Sequence, residues 1–436
     1  VILRSLAAAD TPPGEERDMP TTDQDRPLAT RDRSKLLRAA LGSNALFTLG
    51  CGAPLAFAPG ASAAWLGTTH SGAVAAFGAF LLGFALVLGA TALRRVYAPW
   101  GALLAALDLG YVVGSLAFLA LAPDALGSHG RAAVAIVAGI VFVLVLVELA
   151  GLRRLVSWNP ALRDDGTPCH VAITGASSGI GEAFARELGR AGAKLTLVAR
   201  RRELLERLAG EIGGACHIEA RDLSDPARCA DWIGPAEEAL GPIDVLINNA
   251  GIENLGPGAE ADLDQVSRLL HTNLHAPLIL CRKVVPGMIA RGRGTIVNVA
   301  SIAGFAAAPL LSWYGASKAG LAMFSEVLRG ELAPTGVHVL TVYPGPVTTP
   351  MAESAYAAVG GRGGLAGLFP EGKPDVQARL LLQSLRWGRP RLVYPRFYVL
   401  ERWLPWFARW VQDLAAPAML LKNASVRRTV PAAARG

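Results

Sequence analysis

Charge is scarce in this chain, and lysine is scarcer. Charged residues make up 18% of the 436, and only six of the 42 basic residues are lysine, so nearly all positive charge is permanently ionised guanidinium. No basic run is interleaved with aromatic residues, which excludes a nucleic-acid-binding reading despite a net charge of +7. Five cysteines, at positions 51, 169, 216, 229 and 281, fall in no paired spacing and accompany no histidine pattern. That excludes a disulfide framework and a thiolate metal site, and leaves small core residues in a reducing compartment. The start of the chain lacks the basic, apolar and small-residue succession of a signal peptide. Residues 1–34 also have few large apolar side chains, so they read as a disordered cytoplasmic tail.

Apolar residues, in contrast, are abundant at 52%, and the excess sits in the first third. Ala39 to Trp65, Ala73 to Leu93, Gly101 to Leu121 and Ala132 to Ala150 each approach the roughly 20 residues that cross a bilayer as a helix. Residues 35–155 therefore read as an all-α four-span transmembrane domain. Pro54 and Pro59 leave the end of the first span open, with its last residues expected along the interface. Arg31, Arg33, Lys35 and Arg38 precede span one, Arg94 and Arg95 separate spans two and three, and Arg153 and Arg154 follow span four. Positive residues stay inside, which predicts both termini and the rest of the chain on the cytoplasmic face. Asn44, Asp108 and Glu148 interrupt the spans at one depth, as a shared polar site requires. The alternative is that Glu148 snorkels to the interface and Asp108 bonds a neighbouring helix.

A polar linker with Pro160, Asp164, Asp165, Gly166 and Pro168 leads into alternating strands and helices. Strands are predicted at 170–174, 194–199, 215–220, 245–248, 295–299, 337–342 and 391–394, and a helix near 375–387. The alternation predicts an α/β, Rossmann-like doubly wound parallel sheet over 168–395.

The first strand feeds Thr174-Gly-Ala-Ser-Ser-Gly-Ile-Gly181. Three glycines let the backbone turn tightly, and a helix beginning near Gly181 points its N–H groups and positive dipole end at a ligand, as a pyrophosphate requires. The spacing differs from Gly-x-Gly-x-x-Gly, and the turn alone reads equally as an ordinary tight turn. Tyr314-Gly-Ala-Ser-Lys318 is a second constellation: residues four apart share a helix face, so a phenol and an ammonium point into one pocket. An ammonium beside a phenol favours the phenolate, which suits proton transfer to a substrate oxygen. Ser301 lies thirteen residues earlier, after a predicted strand.

Taken with Asn248-Asn-Ala-Gly251 and Pro344-Gly345 with Thr349, these motifs resemble the short-chain dehydrogenase/reductase family over about 168–350. The resemblance implies Tyr314 as general acid/base, Ser301 as the substrate's hydrogen-bond partner, and Lys318 on the nicotinamide ribose. Asn273, in Thr272-Asn-Leu, matches the family residue that positions a water for the proton relay. Cofactor contacts are implied for Gly175, Ser177, Ser178, Gly179, Ile180 and Gly181, for Asp222 and Leu223, and for Asn249, Ala250 and Gly251. Pro344, Gly345, Val347 and Thr349 complete the set with Tyr314 and Lys318. No metal is expected.

Charge decides the expected dinucleotide. The second strand ends Val198-Ala-Arg-Arg-Arg202, with Ala199 where an acid would accept ribose hydroxyls, so NADP is predicted, with Arg200 and Arg201 on its phosphate. A solvated basic helix start is the alternative. Small residues from 351 to 370 read as a substrate lid. Residues 396–436 mix Trp403, Trp406 and Trp410 with Arg396, Arg402 and Arg409, which suits a membrane surface or, alternatively, a helix packed on the sheet or a partner. These features predict a membrane-anchored NADP-dependent oxidoreductase acting on a small, apolar or lipid-like carbonyl or alcohol. The rival function is a dinucleotide-sensing regulator of a four-span transporter or binding module. Homo-oligomerisation is left open.

Overall fold

A computed structural model describes residues 34–93, 96, 98–156, 163, 166–306, 308–358, 370–399 and 410. The predicted tail before Ser34 and most of the extension after Val399, including Trp403, Trp406, Arg402 and Arg409, lie outside the described residues. The chain divides into two compact units, one of residues 31–158 with 386–389 and one holding the sheet.

The first unit is helical: α1 (Lys35–Phe57), α2 (Pro59–Leu66), α3 (Ser71–Ala92), α4 (Ala98–Leu121) and α5 (Ser128–Val156). Four of these, α1, α3, α4 and α5, are long and apolar enough to cross a membrane. The first predicted span is two helices rather than one. Ala58 leaves the helical region (φ −133°) ahead of Pro59, because a residue before proline is pushed out of the α conformation. Close helix contact rests on small residues: a Cβ on Gly52 would stand 2.9 Å from the Leu81 Cβ, and one on Gly151 would stand 2.8 Å from the Leu37 backbone nitrogen. Large apolar side chains instead face outward, among them Leu46, Phe80, Leu86, Val113 and Ile136.

The second unit is a seven-stranded, wholly parallel sheet in the order β3-β2-β1-β4-β5-β6-β7. Its strands are β1 (His170–Thr174), β2 (Lys194–Ala199), β3 (Cys216–Ala220), β4 (Val245–Asn248), β5 (Gly294–Val299), β6 (Val337–Pro344) and β7 (Arg391–Tyr394). Helices alternate with them: α6 (Gly179–Arg190), α7 (Arg202–Ile212), α8 (Ile233–Leu240), α9 (Leu263–Leu270), α10 (Ala276–Ala290), α11 (Ser312–Leu332), α12 (Pro350–Ala358) and α13 (Pro374–Arg386). Strand ends differ from the sequence reading by a residue or two, at 215, 294 and 344, where pairing with the neighbouring strand rather than composition sets the terminal residue.

Alternate strand residues serve two cores. Val171, Ile173, Leu340 and Val342 pack with Phe184 and Leu188 of α6 and Leu381 and Leu385 of α13. Ala172, Leu246, Ile296 and Val339 face the other way, against Trp232, just ahead of α8, and Leu280 and Met288 of α10. With both faces covered, the strands need no polar alternation, which is why they read as continuous apolar runs. The strand order reverses between β1 and β4. A crevice opens there at the carboxyl ends of the strands, the place where such sheets bind ligands.

Candidate active site

Both loops that flank this crevice are the glycine-bearing ones. Gly175 and Gly179 have φ of +67° and +61°, which L side chains rarely adopt. A Cβ on Gly175 would stand 2.7 Å from the Ala250 Cα, and one on Gly181 would collide with the Gly175 carbonyl and the Asn249 amide. The turn therefore lies directly against the segment after β4. Asn249 braces it: Nδ2 donates to the carbonyl oxygens of Thr174 (3.0 Å) and Gly175 (3.2 Å). Thr174 returns the tie, its Oγ1 accepting from the Asn249 and Ala250 backbone nitrogens at 3.0 and 3.1 Å. Helix α6 starts at Gly179, two residues ahead of expectation, so Gly179, Ile180 and Gly181 are its first turn with N–H groups free for an anion.

Arg201, following β2, crosses to this turn and donates to the Ser177 and Ser178 hydroxyls at 3.1 and 3.2 Å. Arg200 beside it is exposed. Asp222 accepts from the Ser224 backbone nitrogen at 3.0 Å, and Leu223 is buried. Across the crevice, Thr349 lies over the turn, its Cγ2 3.2 Å from where a Cβ on Gly179 would be. Val347 bridges to Gly372, the Gly345 nitrogen donates to the Tyr394 carbonyl at 2.7 Å, and the Pro344 carbonyl accepts from Ser301 at 3.4 Å. The first-turn N–H groups of α6 and the Arg201 guanidinium supply the donors that a dinucleotide's phosphates require.

Helix α11 supplies the phenol and the ammonium. Ser317, Lys318, Leu321 and Ser325 repeat at helical spacing on its buried side, and Tyr314 lies one turn ahead of Lys318. The Lys318 Nζ donates to the Val299 carbonyl at 2.9 Å and stands 5.8 Å from the Tyr314 ring centre. Ser301, just past β5, sits beside the Tyr314 side chain. Burial pushes the Tyr314 phenol above the usual tyrosine value, Glu253 pushes the same way, and Ser301 pulls it back. The lowering expected from Lys318 is thus absent in this state: its ammonium is turned to Val299, and burial brings its own pKa down from 10.5 to about 8.

Asn273 sits in a π-helical turn, His271–His275, between α9 and α10. The wider turn rotates its amide inward, where Nδ2 donates to the Ile252 carbonyl (2.8 Å) and the Ser317 hydroxyl (3.1 Å). Its Oδ1 accepts from the Ile252 nitrogen at 2.8 Å. A Cβ on Gly251 would stand 3.3 Å from that Oδ1 and 3.4 Å from the Lys318 Nζ, so the segment after β4 touches both residues. The four predicted catalytic side chains therefore surround one region.

Three contributors escaped the sequence reading. Ser317 donates to the Tyr314 carbonyl at 2.7 Å, linking Asn273 to the tyrosine's helical turn; its spacing of three from Tyr314 was the available signal. Thr174 was read only as part of the turn. Glu253, two residues past Gly251, is half-buried with its carboxyl pushed above the ordinary glutamate value by burial, an effect that Lys318 opposes.

Residues 169–359 match the family model described as short chain dehydrogenase. The chain is 40% identical over 217 residues to a fatty acyl-CoA reductase of Mycobacterium tuberculosis, covering 47% of this chain and 74% of that protein. It is 34% identical to dehydrogenase/reductase SDR family member 7B of Bos taurus, over 50% of this chain and 70% of that one. Ketoacyl reductase HetN of a Nostoc species is 39% identical over 181 residues, 41% of this chain and 63% of its own length. Sheet order, glycine turn, the Ser301, Tyr314 and Lys318 arrangement and these similarities agree, and the chain belongs to the short-chain dehydrogenase/reductase family.

Proposed function

We propose that the protein is a membrane-anchored, NADP-dependent oxidoreductase that interconverts a carbonyl and an alcohol on an apolar, lipid-like substrate. The observation that carries this reading is the convergence of Ser301, Tyr314, Lys318 and Asn273 beside the glycine turn at the sheet's reversal point. A bound nicotinamide supplies or accepts the hydride. In the reductive direction the Ser301 and Tyr314 hydroxyls hold the substrate oxygen, and Tyr314 gives it a proton as the carbonyl carbon gains the hydride. With a dinucleotide bound, Lys318 would turn its ammonium from the Val299 carbonyl toward the ribose and the phenol, while Asn273 fixes the backbone at Ile252. Burial raises the phenol's pKa, which favours the protonated form that the reductive direction uses.

The preference for NADP rests on Arg201, already poised over Ser177 and Ser178, with Arg200 beside it and Ala199 where an acid would repel a phosphate. The substrate class rests on the four apolar helices and on the fatty acyl-CoA reductase similarity. Basic residues at one end of the spans support a cytoplasmic catalytic unit and cytoplasmic termini. The full-length protein in lipid nanodiscs, supplied with NADPH or NADH and with carbonyl substrates of rising chain length, tests the reading. NADPH consumption that increases with chain length is expected. Preference for NADH, or for small water-soluble ketones, would overturn the cofactor or the substrate assignment respectively.

A further inference from the structure

The helical unit buries polar side chains that carbonyl reduction does not use. Asn44 on α1, Asp108 on α4 and Glu148 on α5 are 0%, 3% and 0% exposed. The Asn44 Nδ2 donates to the Asp108 Oδ2 at 3.0 Å and to the Glu148 Oε1 at 3.1 Å. The Asn44 Oδ1 accepts from the Thr48 hydroxyl at 3.2 Å. Both amide hydrogens are therefore spent, one on each carboxyl. At about 1.5 Å of rise per residue, the three residues lie about 12 to 15 Å from the Lys35, Ala98 and Val156 ends of their helices, in one layer deep within the apolar stretches.

Two further observations point to what this cluster holds. The Asp108 and Glu148 carboxyls converge on one amide nitrogen, which sets them side by side. Glu148 Oε2 is buried without any hydrogen-bond partner, although its other oxygen is satisfied. Among the described residues no lysine, arginine or histidine pairs with either carboxyl. Helices α2 and α3 contain no titratable side chain. Among the described residues, the remaining ones on the unit's helices are Lys35, Arg38 and Cys51 on α1, Tyr111 on α4, and His129, Arg131, Arg153 and Arg154 on α5, with His70 and Asp124 in the connections. Two carboxylates gathered on one amide nitrogen cannot both stay ionised in an apolar layer with no cation beside them. A proton placed between them removes one charge and supplies the donor that Glu148 Oε2 lacks.

We propose that Asn44, Asp108 and Glu148 form a proton-binding site within the helical unit, in which the two carboxyls share one exchangeable proton. The amide orientation selects a proton over an alkali cation: Asn44 turns its N–H groups, not its carbonyl, toward the carboxyls. The site stands independently of the reductase chemistry.

Infrared difference spectra of the full-length protein in nanodiscs, recorded between neutral and alkaline pH in H2O and D2O, test this. The expected result is a protonated-carboxyl carbonyl band at neutral pH that moves in D2O, shifts in Glu148→Gln and in Asp108→Asn, and is absent from the double variant. Proton release on alkalinisation falls by one equivalent per chain in that variant. Asn44→Ala retains both carboxyls and withdraws their shared donor, so it shifts the band and keeps it, which serves if the double variant fails to fold. Identical carboxyl bands in wild type and double variant, an unmoved band in Asn44→Ala, or a band that responds to exchange of sodium for choline at fixed pH would overturn the proposal.

Discussion

The two units solve opposite packing problems with similar side chains. In the sheet unit Phe184 is fully buried against β1 and α13, whereas in the helical unit Phe80 is 63% exposed. Polar groups invert in parallel: the helical unit hides Asp108 and Glu148 inside, and the sheet unit keeps most of its acids at the surface while gathering working polar groups at the strand ends. A water-facing unit is stabilised by removing apolar surface from solvent. A unit whose large side chains point outward gains little that way and depends on close contact between small residues and on internal hydrogen bonds. Gly52 against Leu81 and Asn44 between two carboxyls are those two devices.

The contrast is most exposed to test at the phenylalanines. Phe184→Ala should destabilise the sheet unit by about 3 to 5 kcal/mol, because the cavity cannot be refilled. Phe80→Ala should leave thermal unfolding in nanodiscs nearly unchanged. Equal losses in denaturation monitored separately for each unit would contradict the inside-out reading.

At the crevice the expected effects are smaller. Arg201→Ala should weaken NADPH binding by roughly tenfold, about 1.4 kcal/mol, while leaving NADH binding unaffected. Nicotinamide fluorescence titrations with both cofactors measure this, and an equal loss for both would make Arg201 a structural clamp on Ser177 and Ser178.

The smallest effect concerns pH. The Lys318 ammonium discharges as pH rises through about 8, so cofactor affinity that depends on it should fall above that pH. Glu253 holds the ammonium charged, so Glu253→Gln should move this descending limb to lower pH. Stability has the opposite sign: from about pH 8 to the ordinary lysine value of 10.5 the unfolded chain binds more protons than the folded one, so stability contributed at Lys318 rises with pH. A limb that stays in place in Glu253→Gln would remove Glu253 from the site's electrostatics.

Much of this arrangement was legible because it depends on local pattern. Strand β1 and the spacing of Tyr314 and Lys318 follow from period and sequence separation, which the fold preserves. The Asn44, Asp108 and Glu148 cluster was legible as three polar residues at one depth, and the structure rejects the snorkelling alternative since Glu148 is fully buried and bonded to Asn44. What escaped depends on tertiary geometry. Asn273 reaches Ile252 through a π-helical turn that has no composition signal, and Glu253 gains meaning only when α11 brings Lys318 beside Gly251. Likewise, the resting state of Tyr314 is set by burial, which outweighs the neighbouring charge that the sequence advertises.

The proposed chemistry turns on Tyr314 transferring the proton in a hydride-transfer reaction. NADPH titration paired with single-turnover reduction of a long-chain carbonyl, by wild type and by Tyr314→Phe, isolates that step. Unchanged NADPH affinity is predicted, with turnover lower by about 10² to 10⁴. Turnover retained within a fewfold of wild type in Tyr314→Phe would contradict this role for the phenol.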